Sequence, residues 1–119
     1  MPLSDADRTE LRRRLVEDRA ATAERLAALE RSFDELVAAA DLEPPDDEHD
    51  PDGTTAYERA QVASLAAEAR VRLAALDEAL ASEDDLGTCA ACGGPIGWDR
   101  LVAVPGTRRC LPCAAAGRT

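Results

Sequence analysis

The stretch CAACGGPIGWDRLVAVPGTRRCLPC, residues 89–113, holds all four cysteines of a 119-residue chain. They fall as two Cys-x-x-Cys pairs, Cys89 with Cys92 and Cys110 with Cys113, separated by 17 residues. That spacing lies within the range of four-cysteine zinc sites. Each pair presents two thiolates on one side of a tight turn, and two such turns complete the tetrahedron zinc prefers, closed to substrate. Gly93 and Gly94 follow the first pair and let the backbone turn its amides toward the sulfurs. The reading is one structural Zn²⁺ held by Cys89, Cys92, Cys110 and Cys113. A redox dithiol is the competing use of Cys-x-x-Cys, but it takes one such motif in a βαβ setting, and no βαβ pattern is present. Ile96, Trp98, Leu101 and Val104 are expected to form the small apolar patch that the metal staples together. Arg100, Arg108 and Arg109 stand close in sequence to offset the charge of -2 left by four thiolates and one Zn²⁺.

Working outward, the chain before residue 89 contains no cysteine, and the whole chain contains no lysine. Aromatic residues make up only 3% of it, and alanine supplies much of the 45% hydrophobic content. The apolar surface must therefore be buried along a narrow seam rather than in a large globular core. From Ser4 to about Asp41 there is neither Pro nor Gly. Across it Leu15, Thr22, Leu26, Leu29, Phe33, Leu36 and Ala40 follow a mostly three-and-four spacing, the seam of an amphipathic helix with Ser4 as its N-cap. From Thr55 to about Asp85 the pattern returns in Val62, Ala66, Ala69, Leu73, Leu76 and Leu80, with Thr55 and Glu58 as a capping box and Gly87 as the stop. Pro44, Pro45, Pro51 and Gly53 interrupt the two, leaving a loop of about a dozen residues. Neither helix can bury its seam alone, so the two are expected to pair antiparallel, as a rod of roughly 45 to 55 Å at 1.5 Å per residue. The fold class is mainly α: a long antiparallel coiled-coil hairpin over residues 1–86, with an acidic tip at about 42–53, then a small four-cysteine zinc finger over 87–119.

Charge divides the chain in the same way. The net charge is -10, and residues 41–58 hold eight acids with no Arg. From residue 87 onward the balance is +3. The alternating Glu and Arg of the helix faces read as solvated surface. Eight acids repelling one another near a loop improve neither packing nor helix propensity, so that segment reads as functional. His49 within it has no ligand set around it and reads as a solvated loop residue. The overall charge argues against a generic grip on nucleic acid. No segment resembles a signal peptide, and no run approaches the roughly 18 apolar residues of a membrane span. A cytoplasmic setting, where thiols stay reduced and bind metal, is expected.

The pattern C-x-x-C-G-x-x-I-x-x-x-R-L-x-A-x-P-x-x-x-x-C-x-x-C, carried by Cys89, Cys92, Gly93, Ile96, Arg100, Leu101, Ala103, Pro105, Cys110 and Cys113, resembles the zinc-finger signature of the DksA/TraR family. The hairpin upstream is similar too, so the resemblance covers nearly the whole chain. It implies a bacterial transcription regulator, not an enzyme, that binds RNA polymerase directly and inserts its hairpin tip into the secondary channel toward the catalytic magnesium. It also implies no recognition of promoter DNA, and with no apolar run long enough for a membrane the chain is expected to act as a monomer away from membranes. The family's tip motif, Asp-x-x-Asp-x-Ala, is matched at Asp47 and Asp50, while Asp52 stands where the family has alanine. Contacts that better-known relatives make through a longer C-terminal helix are not carried over. Two other functions fit parts of the sequence. One is a transcript-cleavage stimulator of the Gre type, whose tip carboxylates hold a second Mg²⁺ but which lacks such a finger. The other is a zinc-stapled coiled-coil adaptor for another protein.

Overall fold

The computed structural model describes residues 3–42, 51–82 and 85–117. They form four helices, α1 (Asp5–Leu42), α2 (Pro51–Ala81), α3 (Trp98–Ala103) and α4 (Leu111–Ala115), with no β-strand among the described residues. The expected mainly α architecture is the observed one. Backbone contacts divide it into two compact units, residues 21–72 and residues 1–20 together with 73–119.

α1 is rich in Ala, Leu, Arg and Glu, all strong helix formers. The Ser4 hydroxyl accepts a hydrogen bond from the Asp7 amide at 3.1 Å, so Ser4 is the expected N-cap. Asp5 and Asp7 place negative charge in the first turn, where the helix dipole favours it. On its exposed face Arg13 bridges Glu10 and Glu17 at 2.6 and 2.5 Å. Such surface pairs stabilise by only a few tenths of a kcal/mol each.

α2 begins at Pro51, four residues before the expected cap at Thr55. The difference has a simple cause. Proline is costly inside a helix because it lacks an N–H and crowds the preceding turn, but at the first helical position that N–H has no intrahelical partner anyway. Thr55 therefore lies inside the helix, and residues 43–50 remain between α1 and α2. α2 also ends early, at Ala81 rather than near Asp85. There the Ser82 hydroxyl donates to the Glu78 carbonyl at 2.9 Å, and the Ser82 amide bonds Ala79 in a tighter turn. Gly87, expected as the stop, instead sits in the turn beyond, with φ of +85°.

In the unit of residues 21–72, Thr22, Ala66 and Ala69 are buried, and Leu26, Leu29, Phe33, Leu36, Ala40 and Val62 are half-buried. Glu30 faces Arg70 at 3.8 Å, while Phe33 and Asp34 line a groove with Ala63 and Ala66. Rising numbers on α1 thus meet falling numbers on α2, as antiparallel pairing requires. The alanines of α2 allow the two backbones a close approach.

In the other unit, Leu11 and Leu15 of α1 pack with Leu76 and Ala79 of α2, and Arg19 bonds Asp77 across the pair. The same buried cluster takes in Cys89, Ile96, Leu101 and Cys113. Finger and helix ends therefore share one core. Gly106 belongs to this contact, since a Cβ there would stand 3.1 Å from Leu76 Cδ2. Leu3 lies so close over Gly87 that a Cβ would meet its Cδ1 at 2.7 Å. Of the expected apolar patch of the finger, Ile96 and Leu101 are buried and Trp98 packs against them, but Val104 is 43% exposed. Val104 caps the C-terminus of α3 with its amide on the Arg100 carbonyl, a position that turns the side chain outward.

Leu76 joins finger and helices and is 2% exposed. Leu76→Ala is expected to destabilise the protein by about 2–4 kcal/mol in chemical denaturation, since it removes packing from a shared core. Val71→Ala, at a site 71% exposed, is the control and should stay within about 0.5 kcal/mol.

Candidate metal centre

The first cysteine pair lies on a turn closed by two backbone hydrogen bonds. The Cys89 amide donates to the Gly94 carbonyl at 2.7 Å, and the Gly93 amide donates to the Cys89 carbonyl at 2.9 Å. Gly93 has a φ of +74°, a conformation in which a side chain would be strained. The second pair is held differently. Cys110 is the N-cap of α4, and Cys113 follows one turn later on the same face. Pro112 sits in the first turn, where its missing N–H costs nothing. The Ala90 amide donates to the Arg108 carbonyl at 2.7 Å and ties the two turns together. A single antiparallel bridge between Thr88 and Pro95 closes the base of the finger.

All four sulfurs lie within 4.8 Å of one another. The Sγ atoms of Cys92 and Cys110 are 3.8 Å apart. A zinc–sulfur bond of about 2.3 Å in a regular tetrahedron gives a sulfur–sulfur edge of about 3.8 Å. The donor set thus fits one Zn²⁺ in number, chemistry and spacing. The four cysteines are free thiols, with Cys89 and Cys113 buried and Cys92 exposed. A closed set of four thiolates leaves no coordination position for substrate, so the chemistry it supplies is structural.

Without metal the four thiols divide their protons unequally. The backbone amides of Cys110, Cys92 and Ala91 favour the Cys89 thiolate and, against the opposing effect of burial, hold its pKa at about 6. Cys113 goes the other way: bonding to Cys110, burial, and its contacts with Cys92 and Cys89 push it up to about 12. At neutral pH the site thus presents one ready thiolate and one tightly held proton, which a metal must displace. The amides expected to face the sulfurs do so at Cys89.

Two of the three arginines expected to offset the thiolate charge, Arg100 and Arg108, are engaged elsewhere. Arg100 donates to the Arg109 carbonyl at 2.8 Å and to the Thr107 hydroxyl at 3.4 Å, bracing the loop before Cys110. Arg108 donates to the Ser82 hydroxyl at 2.9 Å and lies 3.7 Å from Glu78, tying the finger to the end of α2. Sequence order gave no hint of that second role. Among the expected tip acids, Asp47 and Asp50 lie outside the described residues, as does His49. Asp52 falls in the first turn of α2, and its side chain also lies outside what is described.

Residues 85–116 match the family model of the prokaryotic dksA/traR C4-type zinc finger. Over this stretch the chain carries a finger of the DksA/TraR C4 type. The solved structure of transcription factor DksA2 from Pseudomonas aeruginosa resembles it with a TM-score of 0.78, over 96% of this chain and 84% of that one. At 23% identity that likeness is one of fold. No curated protein sequence matches the chain. The two findings complement each other, because the DksA/TraR finger match covers the metal centre and the DksA2 likeness covers the helices as well. No helix among the described residues is long and apolar enough to cross a membrane.

One equivalent of zinc is expected to copurify with the reduced protein, as elemental analysis would register. The stability that the low Cys89 pKa confers is present above the unfolded thiol value and is lost as pH falls through about 6. Zinc content should fall on acidification, as protons compete for all four sulfurs. Cys92→Ser should abolish zinc binding and alter the emission of Trp98, the only tryptophan. Because the finger shares its core with Leu11, Leu15, Leu76 and Ala79, this variant should also lower the melting temperature of the helical signal.

Proposed function

We propose that the protein regulates transcription by binding RNA polymerase directly, with the acidic segment between α1 and α2 entering the secondary channel to modulate initiation. The observation that carries this reading is the combination of two long packed helices with a DksA/TraR finger, in the arrangement that makes the chain similar to a transcription factor. A finger whose metal is fully closed performs no turnover, so the protein acts as a regulator and not as an enzyme. Four unpaired thiols suit the reducing cytoplasm in which such a polymerase works.

Charge supports direct action on the enzyme rather than on promoter DNA. With a net charge of -10 and a basic excess confined to the region after residue 87, the chain has little with which to neutralise phosphates. An acidic segment entering an enzyme channel is steered by charge, so its association with polymerase is sensitive to salt. The acids Asp47, Asp50 and Asp52 would face the active-site magnesium or the mobile elements around it. Docking and effect then reside in different residues, with the helices and finger giving affinity and the tip giving the outcome.

The test replaces Asp47 and Asp50 together with Asn, which keeps size and hydrogen-bonding capacity and removes two charges. The double variant is expected to keep its zinc and to bind polymerase within about tenfold of the parent, equivalent to about 1.4 kcal/mol. In purified transcription it should lose most of its effect on initiation. A variant that regulates as well as the parent would sink the secondary-channel reading. Stimulated RNA cleavage in backtracked complexes would instead favour the Gre-type role. A pull-down that recovers no polymerase subunit would favour the adaptor.

A further inference from the structure

The finger's base forms a cleft with the start of α1. About 210 Å³ in volume, it is lined by Leu3, Arg8, Leu86 and Thr88 and by the backbone of Gly93 and Gly94. Arg8 stands one turn in from the Ser4 cap, its amide on the Ser4 carbonyl at 2.9 Å. Among the described residues, no carboxylate lines the cleft. The Nε of Arg8 is shut off from solvent and has no hydrogen-bond partner among the described residues. An ionised group so placed is costly unless opposite charge lies near. The chain does not lack acids, with 24 against 14 arginines.

What it does face is the first metal-binding turn. Gly93 and Gly94 form part of the cleft wall, and a Cβ on Gly94 would stand 3.4 Å from the Cys92 sulfur. Four thiolates around one Zn²⁺ leave a net charge of -2 behind that wall. Arg100 and Arg108 are committed to the Thr107–Arg109 loop and to Ser82 and Glu78. We propose that Arg8, from the opposite end of the sequence, is the counter-cation of the zinc–thiolate centre and sets how tightly the finger holds its metal. It touches neither zinc nor sulfur. Its charge acts across the cleft and partly through protein, where screening is weaker than in water. The same placement disfavours a small anion as occupant of the cleft, because the thiolate centre would repel it.

The test compares zinc affinity, by competition with a chromophoric chelator, in the full-length parent, Arg8→Met and Arg8→Lys. Methionine keeps much of the apolar stem without the charge, and lysine keeps the charge without the guanidinium. Arg8→Met is expected to bind zinc about tenfold more weakly, at the low end for an outer-shell partner. Arg8→Lys should stay within about threefold of the parent. Weaker thiolate stabilisation lets protons compete at higher pH. With four protons taken up, a tenfold loss moves the midpoint of zinc release upward by about a quarter of a pH unit in Arg8→Met and not in Arg8→Lys. Should Arg8→Met fail to fold, Arg8→Gln supplies the neutral variant. Parent-like affinity in the neutral variant would overturn the proposal. So would equal weakness in neutral and lysine variants, which would mark Arg8 as packing alone.

Discussion

The convergence of four thiols on one point, inside a core that the finger does not own, is the constraint on which the rest of this unit depends. The described residues beyond α2 contribute only Ile96, Leu101, Cys89 and Cys113 to the buried set. So few apolar groups cannot offset the chain entropy of ordering more than thirty residues without a metal staple. Two of the ligands are also core residues, packed with Leu11, Leu15, Leu76 and Ala79. Metal binding and helix pairing are therefore thermodynamically linked at this end of the hairpin. Loss of either weakens the other.

Several small contacts reinforce that linkage, each with a local cause. Gly106 lets a loop of the finger approach Leu76, and Gly87 combines a positive φ with the close passage of Leu3. Arg108 reaches back to Ser82, a residue whose hydroxyl also closes the last turn of α2. The unit is tied at its edges by glycine and arginine as well as at its centre by sulfur. Such a base resists bending between finger and helices, which suits a protein proposed to gain affinity from one end and effect from its acids.

Charge is distributed with the same economy. The net negative charge is concentrated at residues 41–58, away in sequence from the cysteines, while Arg100 braces the loop before Cys110 and Arg108 ties the finger to the end of α2. The surface pairs of Arg13 with Glu10 and Glu17 and of Arg19 with Asp77 keep the helix faces soluble and contribute little else.

The sequence alone determined the elements and the metal ligands, because both follow from spacing along the chain. Three-and-four periodicity placed Leu15, Thr22, Ala66, Ala69 and Leu76 in the seam, and all five are buried. Two Cys-x-x-Cys turns at a fixed separation named the four sulfurs that meet. Each end of α2 lies four residues from where the spacing puts it, because Pro51 acts as a starter at the first helical position and Ser82 closes the last turn, and periodicity encodes neither. Tertiary structure decided what lies next to what across long sequence separations. It put Leu11 and Ala79 into one core with the cysteines, turned Val104 outward, assigned Arg100 to a loop and Arg108 to the end of α2, and brought Arg8 into a cleft with the first metal-binding turn. Those pairings include Arg100 with Arg109, 9 positions apart, and Arg8 with Gly93, 85 apart, and a side chain's role there depends on where two elements are docked. Only packing of the folded chain sets that docking, by burying apolar area and satisfying backbone groups at the same time.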